Sequence, residues 1–397
     1  MSILSLVLVN LGRNKRRTIL TTLSVMVGVF LFCALGGVLD TMNRSIQLGS
    51  LTRLVTRNKI SLVFPMPYSY RDRLAAVPGI RRVGIQNWFG GVDPKDPHNF
   101  FAQFAVDDNF LAIYRPDVEL VEYSTPQVET GVPEGNDPRL ASFFQEQTAC
   151  IVGKQLMVKN GWKLGQTITV SGTIYPGDWP MTIRAVYVAK RKNFGEQTVF
   201  FHFKYLDEKG MGGSKSIGIY VLDLANPDQA ATIAKTVDAM FVNSSAATLT
   251  ESEQAFQAGF ISMYGNVPFV LRVIGLAIVF AILLVAANTM MTTFRERTSE
   301  FGVLKTLGFA DSTVFGIVLA EAALITLGGG IAGALLAKLL IEGSGFSMNG
   351  FLPPMSVYWS TVLVGVGIAV LMGAVSGLIP AWRAANLRIV DALRRVD

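Results

Sequence analysis

The sequence is poor in charge, in cysteine and in histidine. Asp, Glu, Lys and Arg make up 16% of its 397 residues, against roughly 25% in soluble domains. Two cysteines, Cys33 and Cys150, exclude a disulfide framework, and Cys33 sits in an apolar run where pairing with Cys150 is not expected. Two histidines far apart in sequence, His98 and His202, give no metal site. Catalytic motifs are missing as well. The only Gly-Lys pair, Gly153-Lys154, is followed by Gln155 and lacks the upstream glycine of a phosphate loop. Neither H-E-x-x-H nor G-x-S-x-G occurs. We therefore expect no catalytic residue, no metal and no cofactor bound by this chain.

Long uncharged runs are what the sequence has instead. Residues 18–39 and 273–294 carry no charge, only Glu321 and Lys338 interrupt the stretch between Asp311 and Glu342, and 343–382 is uncharged up to Arg383. A helix of 22 residues is about 33 Å long, enough for a hydrocarbon core of about 30 Å. The expected fold class is an α-helical integral membrane protein with four transmembrane helices: 18–39, 268–294, 312–341 and 358–379, the last ended by Pro380. The first run is longer than the ~7–15 residues of a signal-peptide core, so it reads as a retained anchor. Tyr358 and Trp359 on one side of the fourth span, and Trp382 on the other, frame it as an aromatic belt does.

The net charge of +6 has a location. Residues 1–17, 294–311 and 381–397 together hold eleven basic and five acidic residues, whereas 40–267 holds 22 of each sign. Lys and Arg favour cytoplasmic flanks, which puts both termini and the 294–311 loop inside and 40–267 outside. The basic pI therefore reflects topology, and no nucleic-acid partner is expected. Residues 1–17 begin with an almost wholly apolar stretch, read as an interfacial helix; 342–357 is a short outer loop and 380–397 an inner tail.

The segment 40–267 is expected to be a folded α+β domain. Lys59–Phe64 reads as a strand, Tyr68–Ala76 as a helix, and Val83–Gln86 and Phe101–Val106 as strands. Later, Ile217–Leu222 reads as a strand, Asp228–Phe241 as an amphipathic helix and Ala247–Thr250 as a strand. The expected plan is a split β-α-β core with a β-rich insertion at about 115–205.

Few polar groups fall inside the spans. Glu321 and Lys338 are 17 residues apart, about 25 Å along one helix, too far to act together. An acidic group in a span costs about 2.5–3.5 kcal/mol on insertion scales, so Glu321 must face a partner. It is either part of a pairing that responds to helix motion or a purely structural hydrogen bond to a neighbouring helix. Lys338, near the outer end, can snorkel. Gly329/Gly333 and Gly373/Gly377 have the spacing that lets helix backbones approach closely, within one chain or between subunits. On the inner side, Arg295 to Leu307 can form a helix with Phe301, Leu304 and Leu307/Gly308 on one side. Glu296, Arg297 and Glu300 then present charge, and Arg297 and Glu300 are spaced to pair. Such a helix suits docking to a cytoplasmic partner or a solvated connector held by its arginines.

These residues carry a resemblance. The stretch Glu296-Arg297-Thr298-Ser299-Glu300-Phe301-Gly302-Val303-Leu304-Lys305-Thr306-Leu307-Gly308 resembles the loop between the second and third spans of MacB/FtsX-type ABC transporter permeases. Glu321-Ala322 with Gly328-Gly329 and Gly333 resembles the third span. Pro380-Ala381-Trp382-Arg383-Ala384-Ala385 with Ala392-Leu393-Arg394 resembles the C-terminal signature, and Asn10-Leu11 through Thr18 the entry to the first span. Val152-Gly153-Lys154, Gly161-Trp162, Leu164-Gly165 and Thr167 are similar to the periplasmic core. Phe301 stands where Ile is usual, and Arg388-Ile389 where Asp-Pro is usual.

The resemblance implies a permease subunit in a bacterial inner membrane, its large domain periplasmic. It would act as a homodimer or related heterodimer with a separate ABC ATPase that binds ATP and Mg. The helix formed by Arg295, Glu296, Arg297, Glu300, Phe301, Leu304, Lys305, Leu307 and Gly308 would couple to that ATPase, and ATP-driven motion would reach the periplasmic domain to drive export. A periplasmic adaptor and an outer-membrane channel are the further expected partners. A lipoprotein-releasing permease and an FtsX-like regulator of a periplasmic hydrolase are the alternative roles.

Overall fold

The computed structural model describes residues 3–47, 49–97, 99–125, 131–191, 194–262, 265–344 and 355–388. The signature Ala392-Leu393-Arg394, most of the 342–357 connector and His98 lie outside them. The chain divides into two compact units: a helical one, Met1–Thr41 with Asn266–Phe346 and Met355–Asp397, and a mixed one, Met42–Gly265 with Ser347–Pro354.

The helical unit is built from α1 (Ile3–Arg13) and α2 (Lys15–Gln47), whose last turns pass into the mixed unit, and from α10 to α13 further along the chain. These last are α10 (Val267–Glu296), α11 (Thr298–Thr306), α12 (Asp311–Ser344) and α13 (Trp359–Ala385). Four of them, α2, α10, α12 and α13, are long and apolar enough to cross a membrane. Small residues set how closely they pack. A side chain on Gly329 would start 2.6 Å from the Thr22 carbonyl oxygen, and one on Gly333 would run into that of Met26, so both glycines face the α2 backbone. Gly373 and Gly377 face α12, where a Cβ on Gly377 would lie 2.7 Å from that of Ala322. All four glycines thus lie against helices of the same chain. α10 differs, burying only Gly275, Ala286 and Met290 within the chain.

Pro380 does not end the fourth helix, which continues through it to Ala385. The ring is buried within the helical unit. Such prolines are tolerated in apolar helices because neighbours make up for the lost hydrogen bond. Lys338 does more than snorkel: its Nζ pairs with Glu342 at 2.6 Å and donates to the Val357 carbonyl at 2.9 Å.

In the mixed unit the strands are β1 (Arg53–Asn58), β2 (Met66–Pro67), β3 (Ile80–Trp88), β4 (Gly91–Val92), β5 (Ala102–Val106), β6 (Val118–Tyr123) and β7 (Ala149–Gly153). There follow β8 (Thr167–Gly172), β9 (Gly177–Ala189), β10 (Thr198–His202), β11 (Ser216–Ile217), β12 (Ile219–Leu224) and β13 (Thr248–Ser252). Its helices are α3 (Tyr70–Ala75), α4 (Asp108–Tyr114), α5 (Ala141–Gln145), α6 (Lys154–Asn160), α7 (Phe203–Gly210), α8 (Ala230–Phe241) and α9 (Glu253–Ser262).

One sheet runs β13-β1-β12-β3-β5-β10-β7-β9-β8-β4, with β6 on β9. β1 is antiparallel to both β12 and β13, and β12 is antiparallel to β3. Hence β1-α3-β3 and β12-α8-β13 are two split β-α-β units, each holding a strand of the other between its own two. The strands β4 to β10, between β3 and β12, do not form a second sheet. They extend the first, from β5 pairing beside β3 out to β4, while β11 pairs with β2 apart from it.

The expected strand at Lys59–Phe64 is a correction. The strand is Arg53–Asn58, and the apolar Ile60 and Val63 that follow are 80% and 86% exposed. β1 carries polar groups that the fold buries with partners, such as Thr56, bonded to Thr250 at 3.0 Å. Its composition therefore hides it. The strand expected at Ile217–Leu222 is likewise two, interrupted at Gly218: β11 pairs with β2 and β12 joins the main sheet.

Candidate coupling site

The site lies where α10 meets α11 in the helical unit, and it starts with a break. The helix α10 ends at Glu296, and Arg297, at φ −106° and ψ 17°, closes it and opens α11. Thr298 donates its hydroxyl to the carbonyls of Phe294 and Arg295, both at 3.0 Å, which satisfies acceptors the break frees. At the other end Gly308 adopts φ +87°. Its N–H reaches the Lys305 carbonyl and that of Phe309 the Leu304 carbonyl. That double bond pattern terminates helices where glycine takes the left-handed conformation. The expected single helix from Arg295 to Leu307 is therefore the end of α10 and a separate, shorter α11.

α11 is seated on the bundle by one aromatic and two charged residues. Phe301 is fully buried, stacked on Phe294 at 6.0 Å and packed with Val314, Val318, Ala381 and Ala384. Leu304 joins the same cluster from its rim. Lys305 pairs with Asp311 at 2.8 Å and donates to the carbonyls of Ala385 and Leu387 at the end of α13. Phe301, Leu304 and Lys305 thus face inward and hold α11 in place. The outward surface is Val303, 48% exposed, and Leu307, 71% exposed.

Arg297 does not present its charge to solvent. Its guanidinium pairs with both oxygens of Glu321, at 2.8 and 3.0 Å, and its Nε with Glu300 at 3.0 Å. Glu321, 5% exposed, also accepts from the Asn10 side-chain amide at 2.7 Å. Burial alone would lower the Arg297 pKa. The charge of Glu321 and hydrogen bonds to Glu321 and Glu300 outweigh it and hold the guanidinium above its ordinary value. Arg13 extends this set by pairing with Glu300 at 2.8 Å, and a separate pair, Arg17 with Glu296 at 2.7 Å, lines the same space. These residues line a partly open cavity of about 290 Å³, together with Thr21, Thr289, Thr293 and Ile325.

Chemically, the arrangement balances three guanidiniums against three carboxylates, in one linked set (Arg13, Glu300, Arg297 and Glu321) and one separate pair (Arg17 and Glu296). The linked set joins α1 to α11 and α12 through Arg297, and the separate pair joins α2 to the end of α10. Removing one member of a buried pair leaves an uncompensated charge, at a cost of about 3–5 kcal/mol. Glu321 therefore has a partner on the loop itself rather than merely on a neighbouring span. Arg295, by contrast, is exposed. Sequence reasoning missed Asn10, Arg13 and Arg17 as members of this site. Asn10 had a signal: it is the one polar residue between Leu6 and Leu11 in an otherwise apolar run.

Two family descriptions match the chain: the MacB-like periplasmic core domain over residues 18–240 and the FtsX-like permease C-terminal region over residues 272–389. The macrolide export ATP-binding/permease protein MacB of Nitrobacter winogradskyi is 36% identical over 110 residues, 27% of this chain and 16% of that protein. The MacB protein of Shewanella oneidensis is 28% identical over 256 residues, 61% of this chain and 37% of the relative. An uncharacterized ABC transporter permease of Bacillus subtilis, YknZ, is 32% identical over 111 residues, covering 27% of this chain and 26% of its own length. The chain thus spans well under two thirds of these relatives. Among solved structures, the periplasmic region of MacB from Actinobacillus actinomycetemcomitans is similar, with a TM-score of 0.38 at 9% identity over 54% of this chain and 95% of that one. With the larger of the two family descriptions alone matching more than half of the residues, the chain belongs to the MacB/FtsX-type family of ABC transporter permeases.

Proposed function

We propose that the chain is the membrane subunit of an ABC transporter in a bacterial inner membrane, with both termini cytoplasmic and the mixed unit in the periplasm. It passes the motion of a partner ATPase to that unit and so drives export of a substrate from the cell envelope. ATP and Mg bind to the partner ATPase. The permease works as a dimer, for which the largely unburied α10 supplies apolar surface. A periplasmic adaptor and an outer-membrane channel complete the export route.

The observation that carries the reading is the way α11 is held. Its inner face is fixed by Phe301, Lys305 and the Arg297–Glu321 pair, while Val303 and Leu307 remain outward and apolar. A displacement applied to that outer face cannot be absorbed by tilting α11 alone. It reaches α12 through Arg297–Glu321 and α13 through Lys305, because packed interiors transmit strain. The separate Arg17–Glu296 pair ties the end of α10 to α2, a single helix of 33 residues, about 50 Å long and so longer than a hydrocarbon core.

The test is ATPase activity of the permease reconstituted with the ATPase that co-purifies with it. Val303→Asp with Leu307→Asp is expected to abolish the permease-dependent change in ATPase rate while the protein remains folded. An unchanged rate in that variant would remove α11 as the coupling element.

A further inference from the structure

The mixed unit contains a buried knot of charge that the coupling reading leaves unused. Arg53, at the start of β1, is buried and has three partners. Its guanidinium lies 2.6 Å from Asp117 and 2.9 Å from Glu253, and it stacks over the Tyr114 ring at 4.2 Å. Tyr114 donates its hydroxyl to the other Glu253 oxygen at 2.9 Å. Arg191 stands 2.9 Å from Asp117 on the far side, so the two cations balance the two carboxylates. No catalytic arrangement accompanies these groups, and each is already engaged.

Their place in the chain gives the knot its meaning. β1 follows directly from the end of α2, and Glu253 opens α9, which leads to α10. Because β1 and β13 are neighbours with Leu54 opposite Ser252, the two ends of the segment inserted between α2 and α10 lie side by side. Glu253, at the second end, is bonded twice to the first: it accepts from the Ser50 N–H at 2.7 Å and from Arg53 Nε at 3.0 Å. Its neighbour Gln254 independently donates its side-chain amide to the carbonyls of Gln47 and Gly49, at 3.1 and 3.2 Å. It thereby satisfies acceptors that the end of α2 leaves open. At Gly49 a Cβ would lie 3.0 Å from the Gln254 N atom, so the two strands of chain approach as closely as glycine allows.

We propose that Glu253, with Arg53, Asp117 and Gln254, is a clasp that locks the exit of α2 to the entry of α9. The two connections then enter and leave the mixed unit as one joint rather than as two independent tethers. The role of the clasp in transport rests on the coupling reading above, but the joint itself does not. A displacement delivered by either connection turns the whole unit, whereas two loose tethers would dissipate it as local bending.

Amide hydrogen exchange on the full chain in lipid nanodiscs tests the joint. Glu253→Ala is expected to raise exchange about ten-fold or more at both 49–54 and 253–258, with α8 unchanged. Faster exchange in only one of these segments, or in neither, would overturn the clasp. Should Glu253→Ala unfold the unit, Tyr114→Phe removes one bond to Glu253 and is expected to raise exchange at the same two segments to a lesser extent. A change confined to α4 would then count against the proposal. The ATPase assay separates the two ideas. If exchange rises at both segments but the co-purified ATPase responds to the permease as before, the joint stands and the transmission reading falls. If exchange is unchanged while Val303→Asp/Leu307→Asp still uncouples the ATPase, the clasp falls and the coupling element stands.

Discussion

Removing Arg297 isolates the energetics of the coupling site. In the Arg297→Met variant the Glu321 carboxylate keeps only the Asn10 amide at 2.7 Å. It loses two hydrogen bonds, at 2.8 and 3.0 Å, and its neutralising charge. With Glu321 buried, the loss is expected to cost about 3–5 kcal/mol, mostly the penalty of an unpaired buried charge. The double variant Arg297→Met/Glu321→Met removes both charges and fills the space with apolar atoms. It leaves Asn10 without its acceptor, at about 1–3 kcal/mol, so it is expected to be more stable than the single variant. Equilibrium unfolding in mixed micelles of the wild type, both single variants and the double variant closes the cycle. A cost below about 1 kcal/mol for Arg297→Met, or additive single effects, would mean that solvent already screens the pair. The claim that α11 is rigidly tied to α12 would then fail.

Three other outcomes follow from the same geometry. Gly333→Leu is expected to destabilise the helical unit by about 1–3 kcal/mol or more, since its side chain meets the Met26 backbone of α2; a lowered thermal midpoint in detergent checks it. Phe301→Ala empties the seat of α11 and is expected to cost about 3–5 kcal/mol and to loosen α11 in hydrogen exchange. The Asp107 carboxyl, which caps α4 by accepting from Phe110, is pushed up to about 6, first by burial, against the pull of the Ile85 and Phe110 N–H groups and Arg71. A raised folded pKa favours the fold below the ordinary carboxylate value and loses that contribution as pH rises through about 6, a change of about 3 kcal/mol. Asp107→Asn, which keeps a capping side chain, should flatten the stability profile between about pH 4 and 6; an unchanged slope would assign the titration elsewhere.

What the sequence made legible follows from which physical constraint acted where. The hydrocarbon core forbids unpaired charge over some twenty residues, so the four long helices are written as runs with little or no charge, Glu321 and Lys338 being the interruptions in the third. The split β-α-β plan also shows, because α8 keeps an amphipathic period between two strands. β1 was hidden because its buried side chains include Arg53, Thr56 and Asn58, and burial of paired polar groups leaves no apolar pattern. The ionic network was hidden for another reason. Asn10 and Glu321 are 311 residues apart, and nothing local marks Arg13 or Arg17 as more than topology signals. Pro380 misled by a rule that holds in water but is relaxed where neighbouring helices surround the ring.

The most direct measurement of the central claim is site-specific photocross-linking from Leu307, an exposed apolar residue at the end of α11, in native membranes. The expected product is a covalent adduct with a polypeptide bearing an ATP-binding phosphate loop, lost when Phe301→Ala displaces the helix. Adducts with lipid alone, or with proteins that bind no nucleotide, would contradict the assignment of α11 as the seat of a partner ATPase.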